Sequence, residues 1–315
     1  YNHSAMSAAT FLQKNLSVQK DASILIITVP EILEVEAEIW LSAARKLSDN
    51  VELLVVHDMH HSGEEPPEKI VAAAAKAEIV IMQTTYSLTH TRAGKSAILN
   101  GGRGLSLPGA DMQLIQLALE TDYAELETLG LALKNTLQNG KTIRITSEQG
   151  TDLTANIRQS GIVAETGFLA PGELGNVPSG EVFFAPLLGS SNGTLVIDGS
   201  IADDVLDEPI TIEIRDGFAT KFSGGSAAKN LQQKLSQYGK KGLTVAEIGI
   251  GTNKLAKISN NLLEAEKAFG TVHVAFGNSS AIGGENNVPI HIDGLVSEPM
   301  VWVDGVVVLE DRKFL

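Results

Sequence analysis

The spacing of apolar residues differs between the two halves of the chain. The N-terminal half is described first. Short apolar runs that predict buried strands alternate there with segments whose apolar positions recur every three or four residues, which predicts helices. The predicted strands cover residues 24–29, 51–56, 78–82 and 104–107, and the predicted helices cover residues 31–46 and 68–77. Strands joined by helices are typical of a parallel sheet. The pattern therefore predicts an N-terminal α/β domain built on a parallel sheet.

The pattern changes after a predicted helix over residues 122–139, which ends at Gly140. From there the apolar runs are short, closely spaced and separated by Gly, Asp, Ser and Asn, as in hairpins. They predict strands over residues 142–146, 152–157, 180–185, 193–198, 210–215 and 218–222, and one helix over residues 226–238. We therefore expect an α/β domain of residues 1–140, followed by an α+β domain of residues 141–315 with a mixed or antiparallel sheet.

The net charge and the length of the apolar runs bear on two classes of partner, nucleic acids and membranes. The 315 residues carry a formal net charge of -14 and show no Lys/Arg stripe that could neutralise a phosphate backbone, so nucleic acid is not expected as a partner. The apolar runs are far shorter than the roughly 20 residues that span a bilayer, so no membrane partner is expected. We expect a soluble, cytoplasmic protein.

The histidines of the second half are the first candidates for chemistry. Because the chain has no cysteine, any metal site must use His, carboxylate and water ligands. His273 lies in an alternating apolar run, and His291 and Asp293 are two positions apart in another, so on a strand both point to the same face. A lone strand histidine is more often a core residue, whereas the additional His-x-Asp pair favours a shared metal.

Two carboxylates strengthen the metal hypothesis. Glu181 and Glu247 are embedded in apolar sequence, where a buried carboxylate without a partner is costly. A metal ion nearby would explain them, and a salt bridge to a Lys or Arg elsewhere in the chain is the alternative. Ligands of these types suit zinc, cobalt, manganese and iron alike. We therefore expect the C-terminal domain to bind a divalent metal, as one or two ions.

A second candidate site lies in the N-terminal domain. Residues 84–92 read Thr-Thr-Tyr-Ser-Leu-Thr-His-Thr-Arg, a run of hydroxyls with one imidazole and one guanidinium after a predicted strand. Such a loop could bind a substrate carboxylate or phosphate through His90 and Arg92. Alternatively, the hydroxyls cap the next helix, and the sequence does not decide between these interpretations.

With these residues the chain resembles metallo-aminopeptidases of the thermophilic aminopeptidase T and aminopeptidase S type, and especially their shorter relatives. The motifs that carry the resemblance are the 84–92 segment, Gly-Leu-Ser-Leu-Pro-Gly at 104–109, Asn-x-Pro-x-Gly-Glu at 176–181, Glu-Ile-Gly-Ile-Gly-Thr-Asn at 247–253, Gly-Thr-x-His at 270–273 and His-x-Asp at 291–293. They follow in the same order over most of the chain.

The resemblance implies that two divalent ions are held by Glu181, Glu247, His273, His291 and Asp293. It also implies a metal-dependent hydrolase in which metal-activated water attacks a peptide or small amide bond of a small-molecule or short-peptide substrate. A homodimer is the expected assembly. Glu266 is the candidate catalytic base that moves the proton. One departure is Ser280, which stands where the aminopeptidases carry a Tyr seven residues after the strand histidine.

A second branch with the same architecture is similar to ring-cleaving iron dioxygenases that act on dihydroxypyridine, where two His and one Asp hold one iron. In that branch a His stands at the position of Glu247, and apolar residues stand at those of Glu181 and His273. The identities of these three residues favour the hydrolase over the dioxygenase. A non-catalytic protein that binds a metal or a small ligand is the third alternative.

Overall fold

A computed structural model describes residues 2–57, 59–201, 204–206, 208–259 and 261–315. Within these residues the helices α1 to α9 cover, in order, Asn2–Asn15, Glu38–Leu47, Glu68–Ala74, Arg92–Ile98, Met112–Glu120, Tyr123–Asn139, Gly225–Ser236, Gly239–Gly242 and Leu262–Ala265. The strands β1 to β20 cover, in order, Ile24–Thr28, Val51–Val55, Ile79–Gln83, Arg103–Ser106, Thr142–Ser147, Asp152–Asn156, Val163–Glu165, Leu174–Asn176, Glu181–Phe184, Asn192–Ile197, Ser200–Ile201, Asp204–Val205, Ile210–Arg215, Phe218–Ser223, Val245–Gly251, Val272–Gly277, His291–Val296, Pro299–Val303, Val306–Glu310 and Lys313–Phe314.

The chain divides by its internal contacts into two units. One comprises Tyr1–Tyr123 and Gly167–Ser179, and the other comprises Ala124–Thr166 and Gly180–Leu315. A short return segment thus supplies β8 to the first unit. Because this division follows contacts rather than independent folding, the domains expected at residues 1–140 and 141–315 stay predictions.

The first unit is built on a parallel sheet, here called sheet 1. Its strand order is β2-β1-β3-β4-β8, and every pairing is parallel. All residues of β1 and β3 are buried, as expected for strands whose crossover helices cover the sheet. Leu25 and Val80 of these strands pack in one core cluster with Ile70 of α3.

The second unit holds two antiparallel sheets. In the described residues, sheet 2 has the order β14-β13-β10-β6-β5-β18-β19-β20, and sheet 3 has the order β12-β11-β17-β16-β15-β9-β7. Alternate residues of both sheets share one apolar core, to which sheet 2 contributes Ile145 and Leu153 and sheet 3 contributes Val274 and Phe276. The predicted fold class, a parallel α/β part followed by an antiparallel α+β part, is confirmed.

The helices differ from the predicted ones in number and in their starts. The segment expected to be helical over residues 31–46 opens with a 3-10 turn at Pro30–Ile32 and a π-helical turn at Leu33–Ala37, and the α-helix begins at Glu38. Helices α1, α5, α8 and α9 were not predicted. No helix in the described ranges is long and apolar enough to cross a membrane.

Candidate metal centre

Side chains alternate between the two faces of each strand in sheet 3. This alternation places the predicted ligands on the face opposite the apolar core. In β16, Val274 enters the core, so His273 points to the opposite face. In β9, Val182 enters the core, so Glu181 points to that same opposite face. The strands concerned are neighbours in the order β17-β16-β15-β9, which brings these side chains within reach of one another.

The His-x-Asp pair lies at the start of β17. His291 pairs across the sheet with Gly277 and Asp293 pairs with Ala275, so both side chains share the face that their spacing predicts. Their side chains are close, with His291 Nε2 3.4 Å from Asp293 Oδ1.

Glu247 reaches this face because β15 contains a bulge. Val245 pairs with Phe276, and Glu247 pairs with Ala275, so Ala246 is the extra residue at the register shift. On a regular strand Val245 and Glu247 would share a face, yet Val245 packs in the core. The bulge therefore turns Glu247 toward the other predicted ligands.

Gly249 makes room for the ring of His273. The two residues are direct partners across β15 and β16. A Cβ atom at Gly249 would lie far inside van der Waals contact with Nε2 and Cε1 of the imidazole. Sequence reasoning did not identify this residue, although it lies in the motif that begins at Glu247.

Four side chains bring their donor atoms together at this face. His273 Nε2 lies 3.3 Å from Glu247 Oε1, and His291 Nε2 lies 3.5 Å from Glu247 Oε2. One donor atom each of Glu247, His273 and Asp293 lies within 4.8 Å of the others, and these three residues are buried. We call Glu247, His273, His291 and Asp293 the ligand cluster.

A hydrogen bond sets the orientation and the tautomer of the His291 ring. Its Nδ1 lies 2.7 Å from the carbonyl oxygen of Asn278, which can only accept, so Nδ1 carries the proton and Nε2 of the neutral ring has the free lone pair. The side-chain oxygen of Asn278 accepts in turn from the backbone N–H of Ser280 at 2.8 Å and from its hydroxyl at 2.7 Å. Ser280 therefore supports His291 through Asn278.

Glu181 lies beside a buried lysine. Lys267, whose side chain is fully buried, donates from Nζ to Glu181 Oε1 at 2.5 Å and lies 3.3 Å from both Glu165 Oε2 and Glu266 Oε2. Burial would lower the pKa of Lys267, but attraction to the three carboxylates outweighs it and raises this pKa well above its usual range. We call Glu165, Glu181, Glu266 and Lys267 the lysine cluster. Sequence reasoning considered a salt bridge for Glu181 without finding Lys267 or Glu165.

Burial and mutual charge shift the pKa values of the ionisable groups. Burial raises the pKa of Glu266 to about 6. Burial would lower the pKa of His273, but its hydrogen bond to Glu247 and the surrounding carboxylates raise it to about 9. Burial would likewise lower the pKa of His291, but attraction to Asp293 raises it to about 10. The metal-free centre therefore holds protons on both imidazoles at neutral pH.

One buried carboxylate oxygen indicates that a cation fits here. Among the described residues, Glu181 Oε2 has no hydrogen-bond partner. Glu181 Oε2 lies 3.3 Å from His273 Nε2, without the geometry of a hydrogen bond, at the edge of the ligand cluster. A buried carboxylate oxygen without a donor is costly, and a cation would satisfy it. Imidazole and carboxylate donors suit iron, manganese, cobalt and zinc, so the residues present fit a divalent ion.

The residues predicted to bind substrate lie in the first unit. His90 is exposed in a turn, and Arg92 begins α4, where its guanidinium donates to Glu68 at 2.8 Å. The hydroxyl of Thr91 accepts from the backbone N–H of Gly94 and caps α4, as the alternative interpretation of this loop expects. Substrate binding by His90 and Arg92 stays a prediction.

Comparison with known proteins identifies related sequences and structures. The family model described as NicX: 2,5-dihydroxypyridine 5,6-dioxygenase matches residues 9–315. The chain is 26% identical over 254 residues to 2,5-dihydroxypyridine 5,6-dioxygenase of Pseudomonas putida KT2440, a match that covers 75% of this chain and 71% of that protein.

Two solved structures share the fold. The 2,5-dihydroxypyridine dioxygenase from Pseudomonas putida KT2440 has a TM-score of 0.86 at 21% identity, over 99% of this chain and 96% of the other. Wild-type AmpT from Thermus thermophilus has a TM-score of 0.72 at 15% identity, over 100% of this chain and 99% of the other. At these identities the likeness shows the fold alone.

These findings overturn the hydrolase prediction. The matching family is a dioxygenase family, so the assignments as hydrolase, aminopeptidase and metalloprotease are wrong, and the likeness to AmpT is one of fold. The error came from the identities of Glu181, Glu247 and His273, because such donors bind several metals and do not specify a reaction. The short-peptide substrate was tied to the hydrolase, whereas the homodimer and the cytoplasmic location stay predictions.

Proposed function

Because this chain belongs to the 2,5-dihydroxypyridine 5,6-dioxygenase family, we propose that it opens the ring of a small dihydroxylated pyridine with dioxygen. The chain is an enzyme with a small-molecule substrate. Its family uses a divalent metal, typically iron, so the predicted divalent-metal cofactor is confirmed. The observation that carries the proposal is the family match over residues 9–315.

The ligand cluster is the proposed iron site. His273 and His291 offer imidazole nitrogens, and Glu247 and Asp293 offer carboxylate oxygens, a donor set related to the two histidines and one carboxylate of non-haem iron oxygenases. When bound, a ferrous ion supplies the redox chemistry through which dioxygen reacts with a closed-shell ring. The side chain of His291 is 34% exposed, whereas those of Glu247 and Asp293 are 10% exposed, so we expect substrate to approach beside His291.

Glu266 is the proposed proton acceptor. A dihydroxypyridine that binds next to a cation is stabilised when a hydroxyl loses its proton, and a base in reach must take that proton. The side chain of Glu266 is 16% exposed, and Lys267 holds its carboxylate at 3.3 Å. Its pKa of about 6 lies near neutrality, where a carboxylate can accept and return a proton. Both oxygen atoms enter the product, so the reaction needs no separate reductant.

Oxygen uptake tests the proposal. Iron-loaded wild-type protein should consume one dioxygen per 2,5-dihydroxypyridine, while the pyridine absorbance disappears. Asp293→Asn removes a charged donor of the ligand cluster, so kcat/KM should fall by roughly a hundredfold or more.

The matched control is Glu148→Gln, because Glu148 is an exposed carboxylate in the turn between β5 and β6. It should leave oxygen uptake unchanged. Iron-loaded wild-type protein that consumes no dioxygen with any dihydroxypyridine isomer would refute the proposed substrate class. Full activity of Asp293→Asn would refute the proposed iron site.

A further inference from the structure

The lysine cluster is a second group of buried carboxylates around a positive charge, next to the ligand cluster. An ammonium group has three N–H donors. At Lys267 three carboxylates surround Nζ, with Glu181 at 2.5 Å and Glu165 and Glu266 at 3.3 Å. No part of the Lys267 side chain is exposed, so its ammonium group is shielded from bulk solvent.

The sheet itself forces two of these carboxylates together. Glu165 of β7 and Glu181 of β9 are direct cross-strand partners, and like charges in such positions repel each other. Their side chains are only 11% and 5% exposed, so solvent screens the repulsion weakly. Lys267 lies near both carboxylates and offsets this repulsion when they are charged.

Glu181 lies between the lysine cluster and the ligand cluster. Its Oε1 accepts from Lys267, and its Oε2 lies 3.3 Å from His273 Nε2 in the ligand cluster. If the ligand cluster held an ion, Glu181 would have a cation on each side of its carboxylate. The donors around Lys267 are also of the type that binds divalent ions.

We propose that Lys267 takes the place of a second divalent ion and limits the centre to a single one. The inference rests on the proposed iron site, since it concerns how many ions join the ligand cluster. A divalent ion would need carboxylate oxygens at about 2.0–2.2 Å in the space that the ammonium already fills. The positive charge of Lys267 also repels a second cation and offsets part of the carboxylate charge that would attract one.

The experiment counts ions rather than activity. Wild-type protein, Lys267→Met, the double variant Lys267→Met with Glu165→Gln, and Lys254→Met are purified with excess Mn²⁺, dialysed and analysed for manganese per chain. Electron paramagnetic resonance then tests whether two Mn²⁺ ions are coupled through a shared ligand. Lys254→Met is the matched control, because Lys254 pairs with Glu125 at the surface.

We expect one ion in the wild type and in Lys254→Met, and two coupled ions in Lys267→Met. The double variant should return to one ion, because it removes one carboxylate together with the ammonium. Lys267→Met should fold in the presence of Mn²⁺, since the added ion satisfies the same carboxylates.

Two ions in the wild type would overturn the inference and leave the metal centre in place. A folded Lys267→Met with one ion in excess Mn²⁺, or a Lys267→Met that excess Mn²⁺ does not allow to fold, would also overturn it. A wild type that binds no ion would refute the iron site itself, so the two failures are distinguishable.

Discussion

The ionisable residues of the ligand cluster form a site in which protons and a metal ion compete. The pKa values of His273 and His291 are raised to about 9 and about 10, so both imidazoles are protonated in metal-free protein at neutral pH. A metal ion needs the lone pair that each proton occupies. Metal binding should therefore depend on pH over a range in which an isolated histidine would already be neutral.

Calorimetric titration with Mn²⁺ should show the release of about two protons per ion at pH 7. Because both pKa values lie above 7, affinity should rise with pH between about pH 6 and pH 8, by up to about a hundredfold per pH unit when two protons leave. The proton count comes from the observed binding enthalpy in buffers with different ionisation enthalpies. Binding that exchanges no proton would contradict the assignment of both histidines as ligands.

At the scale of single residues, the sequence selected all four members of the ligand cluster, together with Glu181 and Glu266 of the lysine cluster. His273, Glu247 and Asp293 could be selected because strand spacing and apolar surroundings are local properties of the chain. Lys267 could not be assigned to Glu181, because the two are 86 positions apart and meet only through the folded sheet. Glu165 was not selected because its strand has only three residues, which are too few to show an alternation of apolar and polar positions.

The strands of sheet 3 pack against the apolar core with one face and carry the ligand cluster on the other. β16 gives Val274 to the core and His273 to the ligand cluster. Gly249 of β15 belongs to the chemical face, where its missing side chain leaves space for the imidazole. A side chain there should damage metal binding more than it damages the fold.

Gly249→Ala should weaken Mn²⁺ binding by about tenfold to a hundredfold, because the added methyl group displaces the His273 ring. The matched control is Gly294→Ala in neighbouring β17, where the added Cβ meets Ile197 on the core face. Both variants should lose about 1–3 kcal/mol of unfolding free energy in urea. Equal metal affinity in the two variants would contradict the role of Gly249.

The start of the helix predicted over residues 31–46 shows why helix boundaries were harder to predict than strands. Pro30 follows β1 and lacks an N–H, and the chain makes a 3-10 and a π-helical turn before regular α-helix begins at Glu38. The spacing of apolar residues over 31–46 does not distinguish 3-10, π and α turns, because all three have a similar number of residues per turn.

At the scale of the whole molecule, every residue of the ligand cluster and of the lysine cluster belongs to the second unit. The chain has two tryptophans, Trp40 in the first unit and Trp302 in the second. Each unit thus contains one fluorescent reporter. An ion that binds only folded protein raises the unfolding midpoint of the part that holds it.

In Trp40→Phe, where Trp302 is the remaining reporter, Mn²⁺ at 100 times its Kd should add about 2.7 kcal/mol and raise the thermal midpoint by about 5–10 °C. In Trp302→Phe, where Trp40 reports, the shift should be smaller. Fluorescence during heating, with Mn²⁺ and with chelator, measures both. A midpoint at Trp302 that Mn²⁺ leaves unchanged would place the ion elsewhere.

The fold class was predictable because its two halves have different apolar periods. The largely apolar runs of β1 and β3 reflect burial of both faces among apolar side chains, whereas β16, although buried throughout, alternates because His273 lies on the face opposite the apolar core. The reaction was not predictable in the same way. Residues such as Glu247 and His273 offer donors that suit a cation, and the chemistry would then depend on which metal and which substrate meet there.

The bulge gives β15 one position at which its length can change without turning its side chains. Because Ala246 is the extra residue, its loss would leave a regular strand in which Val245 still faces the core and Glu247 still faces the ligand cluster. When related sequences are aligned, a gap at this position therefore leaves the two faces of the strand unchanged, whereas a one-residue gap elsewhere in β15 would turn the side chains on one side of it to the other face.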